Sequence, residues 1–417
     1  MGTLRRTTHN LRTDERPDDV FLALTGHMPG PEDGSTTGTE SDDGSAKQLV
    51  TTNPPAAASA QPGQWQLAHQ GDWDMIERSR RMTETTTTMR AVVQDAYGTP
   101  ERVLRLREID KPTIGDDDVL VRVRATSVNT PDWITVAGVP RILRLKSGLR
   151  RPSTPVRGSD VAGVVETVGK HVTDLQPGDE VFGSAWAGAS ATTGTFAEFT
   201  VASASQLLEL PAGLGFEEAA ASVMSGLTAL IALRDVGEAR PGTRVLINGA
   251  SGGVGTLAVQ IAKALGAEVT GVCSTTNLEL VRSLGADHVI DYTAEDFTRG
   301  ERRYDVILDN VMNRPASATA RVLAPAGTLI PNSVGNTGGF FAGLPRMGRA
   351  ALMGWGSKDV RFVTYVVNRE NLAALAALLE SGEVKVVIDK TYPLGDAAKA
   401  VAHMLGHRAR GKIAITV

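Results

Sequence analysis

The stretch Arg244-Val-Leu-Ile-Asn-Gly-Ala-Ser-Gly-Gly-Val-Gly255 constrains this chain more than any other. Val245 to Ile247 form a continuous apolar run, the pattern of a strand buried on both faces. Gly249, Gly252, Gly253 and Gly255 follow and relax the backbone sterics. From Val254 onward, Leu257, Ala258, Ile261 and Leu265 recur at helical spacing. Gly266 ends that helix, and Glu268 to Cys273 reads as the next strand. Strand, glycine turn, helix and strand make a βαβ unit.

Such a unit binds anions. A helix N-terminus presents unpaired N–H groups and a partial positive charge. Glycines let a pyrophosphate approach the backbone, so Gly249, Gly252, Gly253, Val254 and Gly255 are candidate dinucleotide ligands. The spacing Gly249-x-x-Gly252-x-x-Gly255 departs from G-x-G-x-x-G, because Ala250 and Ser251 separate the first two glycines. The flanking elements are the context that gives such a turn its meaning. An ordinary tight turn in a parallel sheet is the competing reading. The residue that reads the ribose belongs at the end of the second strand. Cys273-Ser-Thr-Thr-Asn277 has no carboxylate there, and hydroxyl and amide groups tolerate a 2′-phosphate. This favours NADPH, with NADH as the alternative. Ser, Thr and Asn also suit the start of the next helix.

The chain has 417 residues, 43 Lys+Arg and 47 Asp+Glu, for a net charge of −4. That balance argues against a protein that coats nucleic acid. No apolar run in the sequence looks long enough to span a bilayer. Met1-Gly-Thr-Leu-Arg-Arg6 lacks the apolar core of a secretory signal. A cytoplasmic protein without nucleic-acid or membrane partners is expected. The one cysteine, Cys273, excludes an internal disulfide and multi-cysteine zinc sites, and reads as a buried structural thiol.

Residues 1–88 are rich in Thr, Ser, Gly, Pro and Asp and read as a disordered low-complexity extension, with Met89 as the expected start. Beyond it, strands are expected at 90–93, 119–128, 161–168, 178–182 and 196–201, a small barrel-like β domain. Residues 217–233 turn helical, and strand and helix alternate to about residue 355. Later strands fall at 289–290, 304–309 and 328–330, with a helix at 371–379 and closing strands at 384–388 and 412–417. Ligands of open α/β sheets lie at strand carboxyl ends, so Asn310, Ser333 and Val334 are expected to line the cleft. Gly338 to Trp355 is apolar and glycine-rich, a lid or a subunit contact. Arg141 to Arg151 is basic and reads as a solvated loop.

These residues carry a family resemblance. Ala125-Thr-Ser-Val-Asn-Thr-Pro-Asp-Trp133, Gly158-Ser-Asp-Val-Ala-Gly-Val-Val-Glu-Thr-Val-Gly169 and Gln176-Pro-Gly-Asp-Glu-Val-Phe182 resemble segments of the medium-chain dehydrogenase/reductase superfamily. So do Gly226-Leu-Thr-Ala229, the glycine turn, Leu284 to Tyr292 and Ala409 to Lys412. The match is to the zinc-free, quinone-oxidoreductase-like branch, over residues 89–417. It implies an α/β fold: a GroES-like β-rich catalytic domain over 89–213, a doubly wound parallel-sheet (Rossmann) dinucleotide domain over 214–355, and a C-terminal return, 356–417, to the first domain.

Zinc-dependent members use a Cys, a His-Glu pair and another Cys or Asp. The corresponding segments here hold Asn129, Ser159-Asp160 and Met224-Ser225, and none of the seven histidines has paired ligand spacing. No metal is expected. The resemblance then implies hydride transfer from NADPH to an apolar acceptor that is already electrophilic, a quinone or an enone or enal C=C. Asn129 and Thr228 would sit near the nicotinamide, and Asp132 would orient their loop or bond the ribose. Ser274, Asn277 and Tyr292 would surround the 2′-phosphate, with Arg410 or Lys412 supplying its charge. Dimers are common in this branch. Metal-free alcohol dehydrogenation and a non-catalytic NADPH-binding interaction protein are the alternatives.

Overall fold

The computed structural model describes residues 87–186, 194–333, 344–354 and 359–417. The expectations for the N-terminal extension up to residue 86, for Val334, for 338–343 and for Trp355 lie outside them. β1 (Thr88–Gln94) and β2 (Leu104–Asp110) pair antiparallel. A second sheet takes β3 (Asp118–Ser127), β4 (Asp160–Val168), β5 (Glu180–Ser184), β6 (Phe199–Ser203) and β7 (Leu207–Glu209). Alternation drives it: Val119, Val121 and Val123 of β3 cluster with Val161, Val165 and Val181. Arg122, on the other face, pairs with Glu166 at 2.6 Å. β5 starts two residues later than the sequence suggests, because Gly178 turns the chain at φ 100°.

Three helices shape the region around the glycine turn. α1 (Thr130–Ala137) leaves the end of β3; α2 (Phe216–Leu230) leads into the parallel sheet; α3 (Gly253–Ala264) comes after its first strand. That sheet holds β8 (Arg244–Asn248), β9 (Glu268–Cys273), β10 (His288–Asp291), β11 (Tyr304–Asp309), β12 (Leu323–Pro331) and β13 (Asp359–Val360). Its spatial order is β10-β9-β8-β11-β12-β13. The chain therefore winds outward from β8 twice, in opposite directions, and the switch point lies between β8 and β11. The sheet runs past residue 355, since β13 pairs with β12.

The chain then returns. α4 (Arg369–Glu380) packs Leu372 and Leu375 into the core beside α2 and α3. β14 (Ile388–Pro393) and β15 (Lys412–Thr416) join the antiparallel sheet, β15 pairing with β3. The strand expected at 384–388 forms instead at 388–393. Val384 is buried in the core, and the Lys385 N–H bonds Gln260 Oε1 on α3 at 2.9 Å. Helix α2 links the two sheets, for its Val223 and Leu227 share a cluster with Ala125 and Ala162 on one side and Val245 and Ile247 on the other. With the π-helical turn after it, Phe216–Val236 is 21 residues long and holds an 18-residue window of mean hydropathy 1.4. This corrects the reading that no run reaches bilayer length. That window is 78% buried inside the protein, so its apolarity is that of a core helix.

Candidate functional site

The glycine turn leaves β8 at Asn248. Gly249 takes φ 80°, and the N–H groups of Gly249 and Ala250 both bond Val272 O on β9, at 3.1 and 3.0 Å. Gly252 caps α3, which starts at Gly253. A Cβ on Gly255 would lie 2.1 Å from Gly249 O, so only glycine lets helix and strand approach this closely. The N–H groups of Gly253, Val254 and Gly255 are first-turn donors that a helix cannot pair internally. The turn is also hooked to the end of the chain. Gly411 bridges Gly252, and its N–H bonds Ser251 O at 2.9 Å.

That hook brings Lys412 inside. Its Cδ lies 3.1 Å from where a Gly253 Cβ would be, and the residue is 3% exposed. The ammonium donates to Asn129 Oδ1 and to Val128 O, and lies 4.0 Å from Asp160 Oδ2. Asp160 is fully buried. It accepts from Ser127 Oγ at 2.6 Å, Asn129 Nδ2 at 2.7 Å and the Met224 N–H of α2 at 3.2 Å. Burial raises the Asp160 carboxyl and lowers the Lys412 ammonium, and their mutual attraction opposes both shifts. So Lys412 is not the surface charge expected beside Ser274. It is the cation of a buried cluster tying β3, β4, α2 and β15 to the glycine turn.

Asn129 belongs to this cluster: its amide is held by Asp160 on one side and Lys412 on the other. Asp132 accepts the Asn129 N–H at 2.7 Å and the Gly158 N–H at 3.0 Å. Both its oxygens are engaged with backbone, so it orients the loop. Burial pushes its carboxyl up to about 7, against those two hydrogen bonds. Thr228, on α2 one turn beyond Ser225, is half-buried.

At the switch point, Asn248 Nδ2 donates to Asp309 Oδ1 at 2.7 Å, and Asp309 accepts the Met312 N–H at 2.8 Å. This fixes the tip of β11 and presents Asn310. Asn310 Oδ1 accepts from Asn332 Nδ2 at 2.7 Å, while its Nδ2 is buried without a partner. Ser333 ends the described segment after β12. At the far end, Asn277 Nδ2 donates to Ser251 Oγ at 3.1 Å and Ser274 Oγ at 3.2 Å, and its Oδ1 is likewise buried and unpaired. Two orphaned polar atoms at strand ends, with free helix N–H groups between them, fit a dinucleotide. Tyr292 is half-exposed beside Cys273, bonding its carbonyl at 3.1 Å. Arg410 is exposed, with no ion pair among the described residues. Cys273 is buried, which pushes its thiol up to about 11.

Sequence reasoning passed over two carboxylates. Asp160 entered only as a missing metal ligand, although its place in Gly158-Ser-Asp160 marked it. Asp291, at the tip of β10, accepts the Thr275 hydroxyl at 2.6 Å. The segments that carry zinc ligands in related enzymes do converge, at Asn129, Ser159-Asp160 and Met224. They bring one carboxylate, an amide, a hydroxyl and a thioether, with an ammonium beside the carboxylate. That donor set does not suit zinc. Among the described residues no three His, Cys, Asp or Glu side chains are grouped as a metal site.

Residues 115–212 match the alcohol dehydrogenase GroES-like domain, and residues 284–415 match a family described as zinc-binding dehydrogenase. The chain is 34% identical over 364 residues to the mitochondrial NAD(P)H oxidoreductase RTN4IP1 of Mus musculus, covering 80% of this chain and 90% of that one. It is 33% identical over 363 residues to the trans-enoyl reductase pgmF of Aspergillus terreus, covering 79% and 97%. The solved quinone oxidoreductase of Escherichia coli, complexed with NADPH, superposes with a TM-score of 0.65 at 28% identity, over 79% of this chain and all of that one. Fold and site thus define an NAD(P)H-dependent oxidoreductase with a GroES-like sheet and a parallel dinucleotide-type sheet. The chain belongs to the medium-chain dehydrogenase/reductase superfamily and is a quinone-oxidoreductase-like member of it.

Proposed function

We propose that this chain is a zinc-free, NADPH-dependent reductase of a quinone or of an activated C=C such as an enone or enal. One observation carries the reading: the glycine turn at Gly252–Gly253 and the buried cluster of Lys412, Asn129 and Asp160 are a single assembly. Bound across that turn, the reduced nicotinamide supplies a hydride. Gly253, Val254 and Gly255 offer N–H groups to the pyrophosphate, and Gly249 and Gly252 keep side chains out of its way. Asn310 and Ser333 flank it on the switch-point side, and Ser274, Asn277, Tyr292 and Arg410 hold the ribose end. Asn129, Asp132 and Lys412 are positioning residues that fix the loop ahead of α1 against α2 and the turn, and the half-buried Thr228 of α2 is assigned to the nicotinamide end by the family resemblance alone. An amide, a hydroxyl, a thioether and a carboxylate paired with the Lys412 ammonium are a poor ligand set for a Lewis-acidic zinc, so an unactivated alcohol or ketone is a poor partner. An acceptor that is already electrophilic needs chiefly orientation and exclusion of water. The quinone oxidoreductase and the trans-enoyl reductase among its relatives support this choice.

The test is NADPH oxidation in steady state against quinones, enals, enones and alcohols, before and after dialysis against a chelator. Turnover of quinone or enone that survives the chelator is expected. Alcohol oxidation that the chelator abolishes and zinc restores would overturn the proposal.

A further inference from the structure

The end of β9 lacks a carboxylate, which is the reason for favouring NADPH, and the sheet supplies one from the side. β9 and β10 run parallel with Asp291 opposite Cys273, so Asp291 stands level with the residue before Ser274. Its Oδ2 accepts the Thr275 hydroxyl at 2.6 Å, and its Oδ1 accepts the Thr293 N–H at 2.9 Å and hydroxyl at 2.7 Å. Those hydroxyl and N–H donors hold the carboxyl below its usual range, so it is ionised at any physiological pH. No lysine or arginine pairs with it among the described residues. Arg282 is taken by Glu279, and Lys412, the other charge expected here, is buried with Asn129.

We infer that Asp291 is a specificity-determining residue for the nucleotide, opposing a 2′-phosphate at Ser274–Asn277 and so admitting NADH beside NADPH. The inference rests on the proposed dinucleotide site. A ribose 2′-hydroxyl meets Ser274 Oγ and the unpaired Asn277 Oδ1 as hydrogen-bond partners. A 2′-phosphate meets the same groups with a fixed negative charge held one residue away by Thr275. Arg410, without an ion pair among the described residues, is the cation that opposes this field. Its neighbour Gly411 bonds Ser251, which in turn accepts from Asn277. One unit charge against a phosphate dianion near the surface, within a Debye length, changes affinity by roughly tenfold.

The experiment measures kcat/KM for NADPH and NADH, and calorimetric binding of NADP⁺ and NAD⁺, in the wild type, Asp291→Asn and Asp291→Glu. In Asp291→Asn the NADPH-to-NADH ratio rises about tenfold, mainly through KM. In Asp291→Glu, which keeps the charge, it stays within about threefold of the wild type. Salt gives a second readout: relative to Asp291→Asn, the wild type's NADP⁺-to-NAD⁺ affinity ratio shifts upward with added salt, because salt screens a repulsion that the variant lacks. A ratio unchanged in Asp291→Asn, or a salt dependence of the ratio identical in wild type and Asp291→Asn, overturns the inference while leaving the dinucleotide site intact. Failure of both nucleotides to bind the wild type would instead sink the proposed function.

Discussion

Lys412→Met tests the junction on which the site is built. Methionine keeps the length of the stem against Gly253 and removes the ammonium. Asp160, fully buried and 4.0 Å away, then loses its one countercharge among the described residues, and Asn129 Oδ1 and Val128 O lose their donor. Breaking a buried ion pair from one side costs about 3–5 kcal/mol, because the remaining charge stays desolvated. Asp160→Asn with Lys412→Met removes both charges and leaves a neutral polar cluster. Replacement of a whole buried pair costs far less than halving it, so a coupling of about 2–3 kcal/mol is expected in the double-mutant cycle. Urea unfolding of the apo-protein measures all three variants. Binding of NADPH reads the second consequence, for the hook at Gly411 sets the geometry of Ser251 and Gly252. The single variant binds NADPH more weakly, and the double variant recovers part of the loss. Refutation takes either of two forms: Lys412→Met within about 1 kcal/mol of wild type, or a double variant that loses the sum of the singles.

Four further outcomes rest on the same geometry. Gly255→Ala forces a Cβ to 2.1 Å from Gly249 O and should destabilise the fold by about 1–3 kcal/mol or more. Gly252→Ala, whose nearest contact is 3.5 Å, should keep the melting temperature and raise the KM for NADPH; equal melting temperatures for the two variants would contradict this. Asp132, whose carboxyl is raised to about 7, stabilises fully only below its unfolded value of 3.8, and that contribution is lost as pH rises to about 7. The stability lead of wild type over Asp132→Asn should therefore shrink by about 2–3 kcal/mol between about pH 5 and 8; a lead that grows with pH would reverse the sign. Cys273, buried and with its thiol raised to about 11, should resist iodoacetamide at about pH 8 in the native protein and react on unfolding.

The features legible in the sequence are local or periodic. The turn from Gly249 to Gly255 is read from adjacent residues, because the left-handed φ of Gly249 and the approach of Gly255 to Gly249 O both arise within seven positions. β3 and β8 are read from alternation and from an unbroken apolar run, since burial on one face or two leaves those patterns. The strand expected at 384–388 is displaced for the opposite reason. Its apolar residues are buried by α3 and α4, and the backbone at Lys385 is held by a glutamine more than a hundred residues earlier.

The two charges that matter most to the site, Lys412 and Asp291, escape sequence reading in different ways. Lys412 resembles a solvated basic turn because its neighbours Arg408 and Arg410 are exposed. Its depth comes from the bridge between Gly411 and Gly252, a contact across most of the dinucleotide-binding region that no spacing rule encodes. Asp291 resembles the end of an ordinary strand. The search for a ribose ligand runs along β9, whereas the carboxylate arrives from the adjacent strand after a whole helical crossover. In a parallel sheet the residues that share a strand-end cleft are lateral neighbours, fixed by register rather than by distance along the chain. If Asp291 acts as inferred, nucleotide preference is a property of the β9–β10 register. A variant that shifted that register by two residues, with Asp291 retained, should change the preference as fully as Asp291→Asn does.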